Sequence, residues 1–302
     1  MSGASNRNFN NARRARNDEF YTQRSDIEKE MLHYANHFKG KVIYCNCDDP
    51  RESHFFHYFS HNFEQLGLKK LIVACYASDN VNLFSTKNSK KAVYQIYMGD
   101  TNKNRQPDDD EIAVKQFKGD GDFRNGESIK LLKEADIVVT NPPFSLFREY
   151  IAQLIEYNKK FIIIGNFGSV IYRSIFPLIK DNKLWLGVSP RSMEFQVPDS
   201  AIRFTRTEQG KKYLTVNAAW FTNLTHKGRN EKLILIDNYK KDAYPKYDEF
   251  DTIEVSKTKN IPMDYAGDIG VPITFLCKYN PNQFEIVGMD TDFIKENSEG
   301  GG

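Results

Sequence analysis

Residues 136–144 read DIVVTNPPF. Ile137, Val138 and Val139 follow one another with no polar alternation, as in a strand covered on both faces, and the run stops at an Asn-Pro-Pro turn. Working outward, runs of the same kind recur as VIYCNC (42–47), LIVACY (71–76), FIIIG (161–165) and LWLGV (184–188). Helical spacing fills the intervals. Ile27, Met31, Leu32, Ala35 and Phe38 mark a helix over Asp26–Phe38 closed by Gly40. Further helices are expected at 53–66, ahead of Asp136, at 146–158 and near 171–180, with added strands at 92–98 and 112–117. Buried strands alternating with helices predict an α/β fold with a doubly wound sheet. After residue 190 strands are expected to dominate, as YLTVNAAWFTNL (213–224) and KLILIDNY (232–239), before a stretch punctuated by Pro and Gly.

The chain has 302 residues, 40% of them hydrophobic, enough for one large domain or a catalytic domain with a smaller companion. Its 42 Lys and Arg against 40 Asp and Glu leave a net charge of +2. That excludes an extended polycation and leaves room for a local nucleic-acid-binding patch. Cys45, Cys47, Cys75 and Cys277 lack the Cys-x-x-Cys pairs of a zinc site and are expected to be buried thiols in a reducing compartment. The histidines at 54, 57 and 61 share a helical face without the Glu of a His-Glu-x-x-His helix, so no metal is expected. Asp108–Glu111 reads as a solvated acidic loop. The N-terminus is charged where a secretory signal would be apolar, and no run approaches a membrane span, so the expectation is a cytoplasmic protein without a membrane partner.

Asn141-Pro142-Pro143-Phe144 falls where open α/β sheets place ligands, at the carboxyl end of a strand. The residue types suit chemistry on an exocyclic adenine amine, whose lone pair is delocalised into the ring. Two acceptors on its two N–H groups draw the nitrogen toward tetrahedral geometry and free the lone pair. The Asn141 side-chain oxygen is one acceptor and the Pro142 carbonyl the other. The prolines remove competing N–H donors and bias the residues before them to extended backbone, which makes a stiff rim. Phe144 offers a face to a flipped base, worth ~1–3 kcal/mol, against the few kcal/mol lost on unstacking. Taken alone, the same tetrapeptide is also an ordinary turn after a strand.

Three other places could hold a cofactor. Cys47-Asp48-Asp49-Pro50 ends the first strand, and its carboxylates suit an ammonium and ribose hydroxyls through charge-assisted bonds of ~1.5–3 kcal/mol. No Gly-x-Gly-x-x-Gly or other phosphate loop is present, which disfavours NAD, FAD and ATP. Gly121-Asp122-Phe123 offers a carboxylate to an amino group and a ring to its face, or is simply a turn. Asp18-Glu19-Phe20-Tyr21-Thr22 precedes the first helix, where Ser25 or Asp26 would cap and Glu28 complete a capping box.

In their order along the chain, residues 18–22, Tyr-Cys-Asn-Cys-Asp-Asp-Pro (44–50), Gly-Asp-Phe-Arg (121–124) and Asn-Pro-Pro-Phe (141–144) resemble the adenine-specific DNA methyltransferases of the EcoRI methylase type. The likeness continues through Trp220–Leu224 and Gly270–Leu276 and so spans nearly the whole chain from about residue 17. It implies a Rossmann-like class I S-adenosylmethionine-dependent methyltransferase sheet with a smaller C-terminal recognition region. It also implies methyl transfer from S-adenosylmethionine to the N6 amine of an adenine flipped out of duplex DNA, with a cognate restriction endonuclease system as a candidate partner. By the same resemblance Phe20, Tyr21 and Thr22 form the N-terminal cofactor motif, and Asp48-Asp49 replaces the usual glycine-rich loop. Asp122 and Phe123 would contact the cofactor's adenine, and Asn141–Phe144 the target base. The second strand departs from the wider pattern, ending in Tyr76-Ala77-Ser78 with no acidic residue for the ribose.

Arg13, Arg14 and Arg16 lie in a basic arm (1–16) expected either to meet DNA phosphates or to remain a solvated tail. Arg191 and Arg203 are further DNA-binding candidates; with Arg206, Lys227 and Arg229 they read equally as surface charges. The expected division is 1–16 arm, 17–228 catalytic domain and 229–302 target-recognition region. The same chemistry on RNA or a protein glutamine is one alternative, and a DNA-binding protein without turnover is another.

Overall fold

The computed structural model describes residues 21–46, 53–75, 92–104, 106–189, 191–197, 199, 201–248 and 251–292. Arg13, Arg14, Arg16, Phe20 and the stretch Cys47–Pro50 lie outside the described residues. The chain begins with β1 (Tyr21–Thr22), α1 (Arg24–Met31), α2 (Ala35–Phe38), β2 (Val42–Asn46), α3 (His54–His61), α4 (Phe63–Leu66) and β3 (Lys70–Ala74). It continues through β4 (Val93–Tyr97), β5 (Ile112–Gln116), α5 (Gly126–Glu134), β6 (Ile137–Thr140), α6 (Phe147–Glu156) and β7 (Lys160–Asn166). Then come α7 (Phe176–Lys180), β8 (Trp185–Leu186), β9 (Met193–Val197), β10 (Arg206–Glu208), β11 (Lys211–Val216) and β12 (Ala218–Thr222), with β13 (Thr252–Glu254) and β14 (Asp268–Gly270) last.

Eight strands form one mixed sheet in the order β5-β4-β3-β2-β6-β7-β12-β8. Its centre, β3-β2-β6-β7, is parallel, with Ile43 opposite both Leu71 and Ile137. β4 and β5 extend one side antiparallel, and β12 runs antiparallel to β7 on the other. The unbroken apolar runs follow from burial on both faces. Tyr44, Ile72, Val138, Phe161 and Ile163 pack with Leu131 and Leu132 of α5 and Phe147, Tyr150 and Leu154 of α6. Ile43, Leu71, Val139, Ile162 and Ile164 face the other way, toward Ile27 and Met31 of α1, Phe38 of α2 and Phe55 and Phe59 of α3.

A second, antiparallel sheet runs β1-β9-β11-β10. The strand-rich run expected over 213–224 divides at Asn217 into β11 of this sheet and β12 of the large one. The helix expected over 26–38 starts at Arg24, because the Gln23 carbonyl accepts from the amides of Asp26 (3.1 Å) and Ile27 (3.3 Å). Ser25 and Asp26 thus sit inside the first turn and cap nothing. KLILIDNY is not a strand; it makes one bridge, Asp237 to Pro262, and packs beside a third core of Tyr244, Ile253, Val255, Ile261, Phe275 and Tyr279. Cys45 is buried as expected, whereas Cys75 is half-buried and Cys277, against the expectation, is exposed. Among the described residues no helix is long and apolar enough to cross a membrane, and no His/Cys/Asp/Glu group is placed to hold a metal.

Candidate active site

From β2 the chain crosses to β3 on one side, while β6 lies on the other side and leads to β7. The crossovers diverge between β2 and β6, and the carboxyl ends at such a divergence form the natural ligand crevice of an open α/β sheet. The two ends are tied together. The Thr140 hydroxyl donates to the Asn46 carbonyl, and the Tyr150 hydroxyl of α6 donates to Asn46 Oδ1. All four groups are buried, where satisfied hydrogen bonds hold geometry most firmly.

Asn141 leaves β6 directly after this knot and is half-buried, with Pro142 buried and Pro143 and Phe144 half-buried. The Pro143 carbonyl accepts from the Leu146 amide at 2.9 Å, closing a turn of 3-10 helix over Phe144–Leu146 that feeds α6. The Pro143 carbonyl is thereby engaged in the turn. The Phe144 ring meets Phe195 of β9 edge-to-face, centroids 6.3 Å apart at 84°.

Phe195 links the tetrapeptide to the N-terminal motif, because it pairs with Thr22 across β1 and β9, beside Tyr21 opposite Gln196. The Thr22 carbonyl is 2.7 Å from His54 Nδ1 at the start of α3, and Ser53 caps that helix by accepting from the Phe56 amide. Tyr21–Thr22, the start of α3 and Asn141–Phe144 therefore converge. Thr22 is 6% exposed, and its hydroxyl has no hydrogen-bond partner among the described residues. A buried hydroxyl left so costs about 1–3 kcal/mol unless an outside group completes it.

Asp122 and Phe123 reach the same end through α6. Phe123 is buried with its ring against Tyr150 (5.1 Å, 72°), and its carbonyl accepts from Gln153 Nε2 at 3.0 Å. The Asp122 carboxylate binds Arg124, whose Nη2 donates at 2.7 Å, and Arg124 also reaches Glu149 at 2.9 Å. Burial raises the Asp122 pKa, but the side-chain and backbone hydrogen bonds from Arg124 outweigh it and hold the carboxyl below its usual range. Asp122 is thus an anion oriented by Arg124, while Phe123 is pinned between Tyr150 and the guanidinium of Arg124, 5.1 Å from the ring.

The basic candidates part company. Arg203 is exposed, and Arg191 is half-buried with its guanidinium 4.5 Å from the Phe167 ring. Arg206 is held by Glu194 and Glu208. Arg229 is corrected from a surface charge: it is 7% exposed, bonded to Asn182 at 2.6 Å and laid 4.0 Å over Trp185. Tyr150 and Phe195 carry no site reading in the sequence, His54 only one as a metal ligand, and Asn46 only its place in the 44–50 motif. A signal existed for Asn46 alone, as the residue before Cys47.

The family described as adenine-specific methyltransferase EcoRI matches residues 8–300. The chain is 48% identical to the type II methyltransferase M.EcoRI of Escherichia coli, covering 94% of this chain and 89% of that one. It is 43% identical to type II methyltransferase M.MgeORF184P of Mycoplasma genitalium (92% and 85% covered). With M.MpnI of Mycoplasma pneumoniae identity is 39% (92% and 84%). No solved structure matches. With the sheet, the knotted strand ends and a match over nearly its whole length, the chain belongs to the EcoRI family of adenine-specific methyltransferases.

Proposed function

We propose that the protein methylates the exocyclic N6 amine of an adenine flipped out of duplex DNA, at a specific site, as the modification partner of a restriction endonuclease. The observation that carries this is the convergence of Asn141–Phe144 with Tyr21–Thr22 at the divergence of β2 and β6. In this reading the sheet is a Rossmann-like class I methyltransferase sheet. Residues 17–228 form the catalytic domain, and 229–302, with its own small core, is the target-recognition region.

S-adenosylmethionine, when bound, supplies a methyl group already activated on a sulfonium. Thr22, with its buried uncompleted hydroxyl, suits a polar group of that cofactor. Tyr21, the pinned ring of Phe123 and the neighbouring Asp122 carboxylate suit its amino and aromatic parts, as would Phe20, Cys47, Asp48, Asp49 and Pro50. Asn141 Oδ1 accepts one N–H of the adenine amine and the Pro142 carbonyl the other, drawing the nitrogen toward tetrahedral geometry and its lone pair out of conjugation with the ring. Phe144 covers the base, its orientation set by Phe195. The amine's surplus proton leaves after transfer, so no strong base is required. Positioning supplies most of the acceleration.

The test is transfer of labelled methyl from S-adenosylmethionine to unmethylated duplex DNA, with nucleoside analysis of the product. Labelled N6-methyladenine is expected, and Asn141→Ala should lower turnover about 100- to 1,000-fold with cofactor binding intact, the scale for losing one preorganised polar contact. Label in RNA or protein but not DNA, or near-normal turnover in Asn141→Ala, would overturn the assignment.

A further inference from the structure

Ile202 is 94% exposed and Phe204 46% exposed, flanking an exposed Arg203 on the segment that leaves β9. An apolar tip so placed in water is unfavourable in the free protein. The tip is nonetheless built firmly. Lys212 Nζ donates to the carbonyls of Asp199 (2.6 Å) and Ala201 (3.0 Å) and lies 4.9 Å from the Phe204 ring centroid. On the far side the Thr205 amide and hydroxyl both donate to the Tyr213 carbonyl, at 2.7 and 3.0 Å. Lys212 sits opposite Val197, so the clamp acts at the very end of β9.

β9 is also the strand whose Phe195 meets Phe144. Val197 is two residues beyond Phe195, about 7 Å along the strand. Ile202 is seven beyond it, within ~24 Å even for a fully extended chain. Arg203 makes no ion pair among the described residues, unlike the neutralised Arg206 nearby. The chain enters β1 at Tyr21, opposite Gln196, at the same end of the strand pair, and Arg13, Arg14 and Arg16 precede it in sequence. An apolar tip with an unneutralised cation fits a polyanion with a stacked apolar interior better than a lipid or a second copy of the chain.

We propose that Ile202 is a wedge that enters the base stack where the target adenine leaves it, with Arg203 on a flanking phosphate and Phe204 and Lys212 bracing the tip. The proposal rests on the DNA-methylation reading above. Apolar side chains inserted between base steps replace lost stacking contacts. A β-branched side chain, stiff at χ1, suits the task. The wedge thus favours the extruded state and leaves the methyl-transfer step itself untouched.

The experiment compares wild type and Ile202→Ala on a duplex with the target adenine paired, and on one with an abasic site opposite it, where extrusion costs less. On paired DNA turnover should fall about 10- to 100-fold, the equivalent of the few kcal/mol of unstacking. The fluorescence rise of 2-aminopurine at the target position should weaken in parallel. On the abasic duplex the variant should recover to within about threefold of wild type. Equal turnover on paired DNA, or a loss that the abasic duplex does not rescue, would overturn the wedge. So would a change in sedimentation of the DNA-free protein on substitution, which would assign the tip to contact between copies. Wild type inactive on both duplexes would instead sink the methylation reading.

Discussion

Ile137–Thr140 and Leu233–Ile236 are both short apolar runs, and the protein treats them oppositely. The first lies between β2 and β7 with all four side chains buried. In the second, Leu233 and Leu235 pack on the small third core while Ile234 and Ile236 stand 81% and 74% exposed. The backbone explains the difference. In β6 the neighbouring strands complete the ladder, whereas the Leu233 amide donates to Gln283 Oε1 and its carbonyl accepts from Gln283 Nε2, both at 2.8 Å. Farther along, the Tyr239 amide donates to Asp264 Oδ1 at 2.6 Å. Side chains have taken the place of a partner strand. A run of apolar residues becomes a strand when an edge is available to it, and propensity alone does not provide one.

If that contrast is right, the interior of the large sheet should be the least tolerant part of the molecule. Phe161 of β7 is fully buried, next to β6 and against the α5–α6 side. Phe161→Ala should cost about 3–5 kcal/mol in urea unfolding, as large-to-small core changes do. A loss under about 1 kcal/mol would mean that the sheet is loosely covered and that the comparison fails on its firmer side.

The next effect probes the knot at the crevice. Tyr150→Phe keeps the ring against Phe123 but removes the donor from Asn46 Oδ1. A buried acceptor left unmet costs about 1–3 kcal/mol, so the melting temperature should fall by several degrees. Because Asn46 ends β2 beside Thr140, cofactor affinity should weaken as well. Lowered stability with unchanged cofactor affinity would make Tyr150 a core residue alone.

The position of Asn141 at the end of β6 was legible in sequence because its environment is local: a buried run closed by two prolines marks a strand end. The alternation of strands and helices was legible for the same reason, since each central strand is covered on both faces. Phe195 was hidden, because its place beside Phe144 depends on β9 joining β1 across more than 170 intervening residues in a sheet whose pairings no local pattern specifies. Arg229 was misread for a related reason: a guanidinium buried on Trp185 differs from a solvated one only in its distant neighbours. For Asp122 the sequence offered a candidate cofactor contact but not its engagement by Arg124 two positions on, although the spacing was in plain view.

The smallest expected effect tests the softer side of the comparison. Ile234→Ala removes three carbons from a side chain already 81% exposed, while Leu233 and Leu235 keep their packing. Stability should change by less than about 0.5 kcal/mol, as for surface substitutions away from special features. A cost above about 1 kcal/mol would show that the alternate face of this run is covered in solution, so that the region after Arg229 packs more widely than its small core implies. Equal tolerance at Ile234 and Ile236, set against the large cost at Phe161, would instead fix the rule that separates the two runs. What a partner edge buries on both faces is held by the fold, and what a side-chain amide merely props up leaves one face at the disposal of the surface.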